Sequence, residues 1–113
     1  MFDPLPAKFR GSMDVIASHP PYVATSELRD LPAEVIDYEP VQTLTDSSRD
    51  GLGFVRGLVL GAREWLKPGG WLCVEIAADL TRPLRSILGR AGYREIKSTR
   101  ESAVDTRVVV AKR

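Results

Sequence analysis

The chain has 113 residues, 43% of them hydrophobic, which suits one globular domain with a modest core. Sixteen basic against fifteen acidic residues leave a formal charge of +1 with the signs interspersed, an argument against a large nucleic-acid footprint. No stretch approaches the ~20 apolar residues of a membrane helix, Met1-Phe2-Asp3-Pro4 does not read as a signal peptide, and one cysteine supports neither a disulfide nor a metal framework; a cytoplasmic protein is expected.

Met13 to Ser18 is a short, mostly apolar run ended by prolines, which predicts a strand buried on both faces. Behind it stands Ser18-His19-Pro20-Pro21-Tyr22. Proline fixes its own φ and restricts the residue before it, so His19 and Pro20 are held extended and the strand's carboxyl end is rigid. Tyr22 offers an aromatic face just past that end, where open parallel sheets bind ligands. From Val23 to Arg49 no periodicity dominates, and so long an irregular stretch in a compact domain is usually functional or mobile.

Asp50 to Leu66 has apolar residues at Phe54, Val55, Leu58, Val59, Ala62, Trp65 and Leu66, the spacing of one helix face, with Asp50 as its N-cap. Gly57 and Gly61 weaken a helix, so their presence predicts a close approach to the sheet. Gly51-Leu52-Gly53 with Gly57 is a helix start and not a dinucleotide loop, because Arg56 stands where the last glycine is needed and no strand precedes. Lys67-Pro68-Gly69-Gly70 ends the helix, and Trp71 to Ile76 predicts a second buried strand with Cys73 as a small core residue. Glu75 at its carboxyl end either faces a pocket or, the preferred reading, forms a rim ion pair.

Leu80, Leu84, Ile87, Leu88 and Ala91 mark a second amphipathic helix, with Thr81 as a candidate cap, Pro83 in the first turn and Gly92 as the stop. Tyr93 to Ser98 and Arg107 to Ala111 are the last strands, with Asp105 and Arg107 as a candidate surface pair. Strand alternating with helix argues for an α/β fold with parallel crossovers, and the closing pair of strands for an antiparallel hairpin. Arginine outnumbers lysine twelve to four and asparagine is absent, which reads as codon bias rather than phosphate recognition.

The Pro-Pro-Tyr strand end resembles that of amino-methyltransferases that use S-adenosylmethionine and carry Asn-Pro-Pro-Tyr or Asp-Pro-Pro-Tyr there. Leu31-Pro32-Ala33-Glu34-Val35, Tyr38-Glu39-Pro40, Asp50-Gly51-Leu52, Lys67-Pro68-Gly69-Gly70 and Asp105-Thr106-Arg107-Val108-Val109 make the chain similar to the release-factor glutamine methyltransferases. The resemblance spans nearly the whole chain but only the second half of the family's catalytic domain. It implies a partial Rossmann-like class I methyltransferase sheet, with residues 1–113 as the C-terminal part of that domain.

The resemblance further implies methylation of a glutamine side-chain amide on a peptide chain release factor, with S-adenosylmethionine as donor. His19, Pro20, Pro21 and Tyr22 are then the catalytic and substrate-binding residues: Pro20 supplies a backbone carbonyl, Pro21 rigidity and Tyr22 a face for the flat amide. His19 stands in place of the family's asparagine. Neutral imidazole puts its one donor and one acceptor on different ring positions, and protonation removes the acceptor, so His19 is expected to lower or abolish activity. The family's glycine-rich cofactor loop and ribose-binding acidic residue lie upstream of this strand and are not found here. No cofactor-binding residue is assigned; the chain alone is expected to bind S-adenosylmethionine weakly or not at all and to be inactive.

The family's N-terminal helical domain is not found either. Without its upstream neighbour the strand Met13 to Ser18 exposes one edge, so self-association or a partner chain is expected. Two other readings stand beside the enzyme fragment. One is a non-catalytic remnant that tolerates His19 and the missing loop. The other is a nucleic-acid amino-methyltransferase acting on a flipped base, which the charge balance and the Tyr38-Glu39-Pro40 and Asp50-Gly51-Leu52 text argue against.

Overall fold

A computed structural model describes residues 1–100 and 106–113; Asp105, and with it the expected pairing to Arg107, lies outside them. The strands β1 (Met13–Ser18), β2 (Leu66–Ala77), β3 (Arg94–Arg100) and β4 (Thr106–Lys112) form one sheet in the order β1-β2-β4-β3. β1 runs parallel to β2, with Val15 opposite Trp71 and Ser18 opposite Val74. β4 is antiparallel to both β2 and β3, so the expected α/β sheet with a terminal antiparallel hairpin is present. A parallel pair needs a long crossover, and α3 (Gly53–Trp65) supplies the one between β1 and β2. α4 (Thr81–Arg90) then joins β2 to β3.

Leu72, Val74 and Ile76 of β2 share one core with Val109 and Ala111 of β4, Val55, Val59 and Ala62 of α3, and Leu84 and Leu88 of α4. Alternation puts Trp71, Cys73 and Glu75 on the opposite face, where they are only half-buried. That bare face corrects two expectations. β1 is not buried on both sides: Val15 is 56% exposed and Ala17 is exposed, because β1 is an edge strand whose one covered face presents Ile16. Cys73 is likewise not a core residue.

The irregular stretch from Val23 to Arg49 holds three short helical pieces: a 3-10 turn (Leu28–Asp30), α1 (Ala33–Tyr38) and α2 (Val41–Leu44). Pro32 and Pro40 stand at the start of the last two, where a missing N–H is harmless. Three further details differ from expectation. The N-cap of α3 is Leu52, not Asp50, whose carboxylate accepts from the Leu52 N–H at 3.2 Å and pairs with Arg56. The first amides of α3 are satisfied from the preceding loop instead. Asp46 accepts from the Phe54 N–H, and the Ser48 hydroxyl oxygen accepts from the Gly53 N–H at 3.2 Å.

Thr81 is the first residue of α4 rather than its cap, and its hydroxyl is buried without a partner among the described residues. Pro83 falls in the first turn as expected. Gly92, at φ +81°, closes the helix with the Tyr93 N–H donating to the Leu88 carbonyl at 3.0 Å. Gly57 and Gly61 approach the N-terminal segment and not the sheet: a Cβ on Gly61 would lie 2.5 Å from the Phe2 ring, which stacks on Trp65 at 6.0 Å. Among the described residues no helix is long and apolar enough to cross a membrane.

Candidate active site

β1 delivers Ser18 to the carboxyl edge of the sheet, and Pro20 and Pro21, lacking N–H groups, end its ladder there. Pro20 is buried, Pro21 and Tyr22 are half-buried and His19 is exposed. The His19 and Tyr22 rings face each other with centroids 5.7 Å apart at 47°. His19 through Val23 form one wall of a cavity of about 210 Å³, and Glu39, Thr43 and Leu44 form the other. All four residues singled out by sequence, His19, Pro20, Pro21 and Tyr22, are thus brought to one space.

Three ties fasten this segment. The Val23 N–H donates to the Leu44 carbonyl at 3.0 Å, and the Thr25 N–H and hydroxyl donate to the Ser48 carbonyl at 3.3 and 3.1 Å. Gly51, buried at φ +65°, lies so close beneath Tyr22 that a Cβ would sit 2.1 Å from the Tyr22 carbonyl oxygen. Asp50-Gly51-Leu52 therefore contributes to the site through a backbone approach that only glycine permits.

His19 also lines a second cavity, of about 340 Å³, with Ala17, Ser18, Cys73, Glu75 and Val108 on the bare sheet face. It is a wall shared by the two spaces. Glu75 faces this second cavity and forms no ion pair among the described residues, which corrects the rim-pair reading. The Tyr22 phenol is pushed above its ordinary pKa by burial, then by the negative charges of Glu75 and Asp79. Tyr22 is accordingly a neutral ring at physiological pH, suited to packing on a flat polar group.

Sequence reasoning assigned no role to Glu39, Thr43 or Gly51. Glu39 and Gly51 stood inside Tyr38-Glu39-Pro40 and Asp50-Gly51-Leu52, so the signal was present without its geometry. Among the described residues no group of three or more His, Cys, Asp or Glu side chains is placed to hold a metal ion.

The cavity beside Tyr22 suits a small planar polar group. The described glycines with positive φ are Gly11, Gly51, Gly69 and Gly92, and none directly follows the carboxyl end of β1 or β2 to cradle a nucleoside. The cavity is smaller than the ~300–1,000 Å³ that drug-sized ligands occupy.

No family model matches the chain. Curated relatives do. The release factor glutamine methyltransferase of Geobacter sulfurreducens is 40% identical over 93 residues, 82% of this chain and 31% of that protein. Those of Clostridium acetobutylicum and Gloeobacter violaceus are each 36% identical, over 88% and 96% of this chain and 35% and 37% of their own lengths. Among solved structures, a methyltransferase from Pyrococcus furiosus superposes with a TM-score of 0.60 at 20% identity, covering 90% of this chain and 41% of that one, a likeness of fold. The chain spans about a third of the length of these curated relatives. It belongs to the release factor glutamine methyltransferase family.

Proposed function

We propose that this chain supplies the amide-binding side of an S-adenosylmethionine-dependent methyltransferase that acts on a glutamine side-chain amide of a peptide chain release factor. In this reading residues 1–113 are the C-terminal part of the catalytic domain. The observation that carries it is the cavity at the end of β1, walled by His19 to Val23 and closed by Glu39, Thr43 and Leu44. The curated relatives give the reaction class.

An amide nitrogen is a poor nucleophile because its lone pair is delocalised into the carbonyl, so the pocket must orient and polarise it. S-adenosylmethionine, when bound, supplies a methyl group already activated as a sulfonium. The work of this chain is on the acceptor side. The Pro20 carbonyl accepts from the amide N–H and draws electron density toward nitrogen, while the Tyr22 ring packs on the amide plane. Pro21 removes the slack between them. His19 offers a single acceptor nitrogen where the family's asparagine offers a carbonyl, and so holds the amide less firmly.

A second reading, a non-catalytic remnant, is favoured by His19, which stands in place of the family's asparagine. One experiment separates the two. The chain is joined to the part of the G. sulfurreducens protein that it does not match, and tritiated methyl transfer is followed with release factor and with nucleic acid. Label in the release factor, raised by His19→Asn, supports the proposal. Label in nucleic acid alone, or none with either residue while the donor binds, overturns it.

A further inference from the structure

We infer that Glu39 sets the selectivity of the Pro-Pro-Tyr cavity for a primary amide over a carboxylate; the inference rests on the amide-binding reading above. Among the described residues the side-chain polar groups of this cavity are the His19 imidazole, the Thr43 hydroxyl, the Tyr22 phenol and the Glu39 carboxylate, and no described arginine or lysine side chain lines it. Thr43 has committed its hydrogen: its hydroxyl donates to the Pro40 carbonyl at 2.7 Å and can only accept from a ligand. Glu39 forms no ion pair among the described residues, and no side-chain hydrogen bond there reaches it.

The Glu39 wall therefore presents acceptors and a negative charge without a compensating cation. A primary amide brings two N–H donors and no charge, whereas the carboxylate of the same shape brings no donor and meets like charge.

The position of Glu39 is fixed by its backbone. It joins α1 to α2 at φ −102° and ψ 134°, its N–H donates to the Val35 carbonyl at 3.0 Å, and Pro40 behind it disfavours any helical alternative. Glu39 is exposed, so water screens its field and the expected discrimination is modest, about fivefold.

The test is a titration of the 113-residue chain, followed by the backbone amide resonances of Tyr22, Val23 and Thr43. The ligands are N-acetylglutamine methylamide and N-acetylglutamate methylamide at neutral pH. The glutamine ligand is expected to saturate at about fivefold lower concentration than the glutamate ligand. Glu39→Gln brings the two together, chiefly by strengthening glutamate binding. Glu34→Gln, which removes an equal charge from α1 outside the cavity, leaves the ratio unchanged. Glutamine binding at Tyr22 with the same ratio in wild type and Glu39→Gln overturns the inference and spares the amide-binding reading. No shift at Tyr22 and Val23 with either ligand overturns that reading and the inference together.

Discussion

Gly51→Ala tests how the site is built. At φ +65° an L-residue strains its backbone by ~1–2 kcal/mol. The added Cβ would lie 2.1 Å from the Tyr22 carbonyl oxygen, 2.9 Å from its carbon and 3.2 Å from the Ala24 nitrogen. These are backbone atoms that cannot rotate away, so the loop must retreat by roughly 1 Å to approach ordinary van der Waals separation. Overpacking of that kind costs ~1–3 kcal/mol, offset by ~0.4–1 kcal/mol from the stiffer unfolded chain.

The expected loss is ~2–4 kcal/mol, a large share of the stability of a small domain. Gly57→Ala is the control. Its Cβ meets nothing nearer than the Met1 methyl at 3.8 Å, and helix propensity should stabilise it by ~1 kcal/mol. Urea unfolding measures both, and the Tyr22 to Ala24 amide resonances report the loop. A Gly51→Ala chain within ~0.5 kcal/mol of wild type, with those resonances unmoved, would refute the close approach.

Asp46→Ala removes the side-chain cap on α3 and should cost ~1–2 kcal/mol by chemical denaturation. Burial works to raise the Asp46 carboxyl pKa, but bonds from Ser48 and Phe54 outweigh it and the net shift is downward. Its contribution is therefore present above the ordinary carboxylate range and lost as pH falls through the folded value, so the gap between wild type and Asp46→Ala should narrow in acid. Tyr93, buried and donating to the Val59 carbonyl at 2.9 Å, has its phenol pushed up to about 12 by burial. A raised folded pKa means stability that is full below 10.0 and lost as pH rises toward about 12; Tyr93→Phe should cost ~1 kcal/mol at neutral pH and abolish that alkaline loss in pH-jump melting. The open edge of β1 and the bare face beside it should make the chain self-associate, and sedimentation showing a well-folded monomer at millimolar concentration would count against this.

The fold was largely legible because its elements obey simple periods. Leu58, Val59, Ala62 and Trp65 mark one helix face, and the run from Trp71 to Ile76, apolar but for Glu75, marks a central strand. What the periods could not show was coverage. An apolar run reads as buried on both faces whether or not a second layer exists, so the pattern puts Val15 and Cys73 inside although they stand on an uncovered face. The helix starts failed for a related reason: Asp50 has the right type and position for a cap, yet Asp46, eight residues before Phe54, reaches its amide through a loop. The site divides in the same way. Ser18 to Tyr22 is contiguous and could be read directly, whereas Glu39 and Gly51 join it only through the packing of α2 and the turn before α3, contacts that no local pattern encodes.

The most direct measurement is mass spectrometry of release factor after incubation with S-adenosylmethionine and the completed enzyme, comparing His19 with His19→Asn. A single methyl group on a glutamine side-chain nitrogen is expected, gained faster with asparagine at position 19. Unmodified release factor with both proteins, each folded and binding the donor, would contradict it.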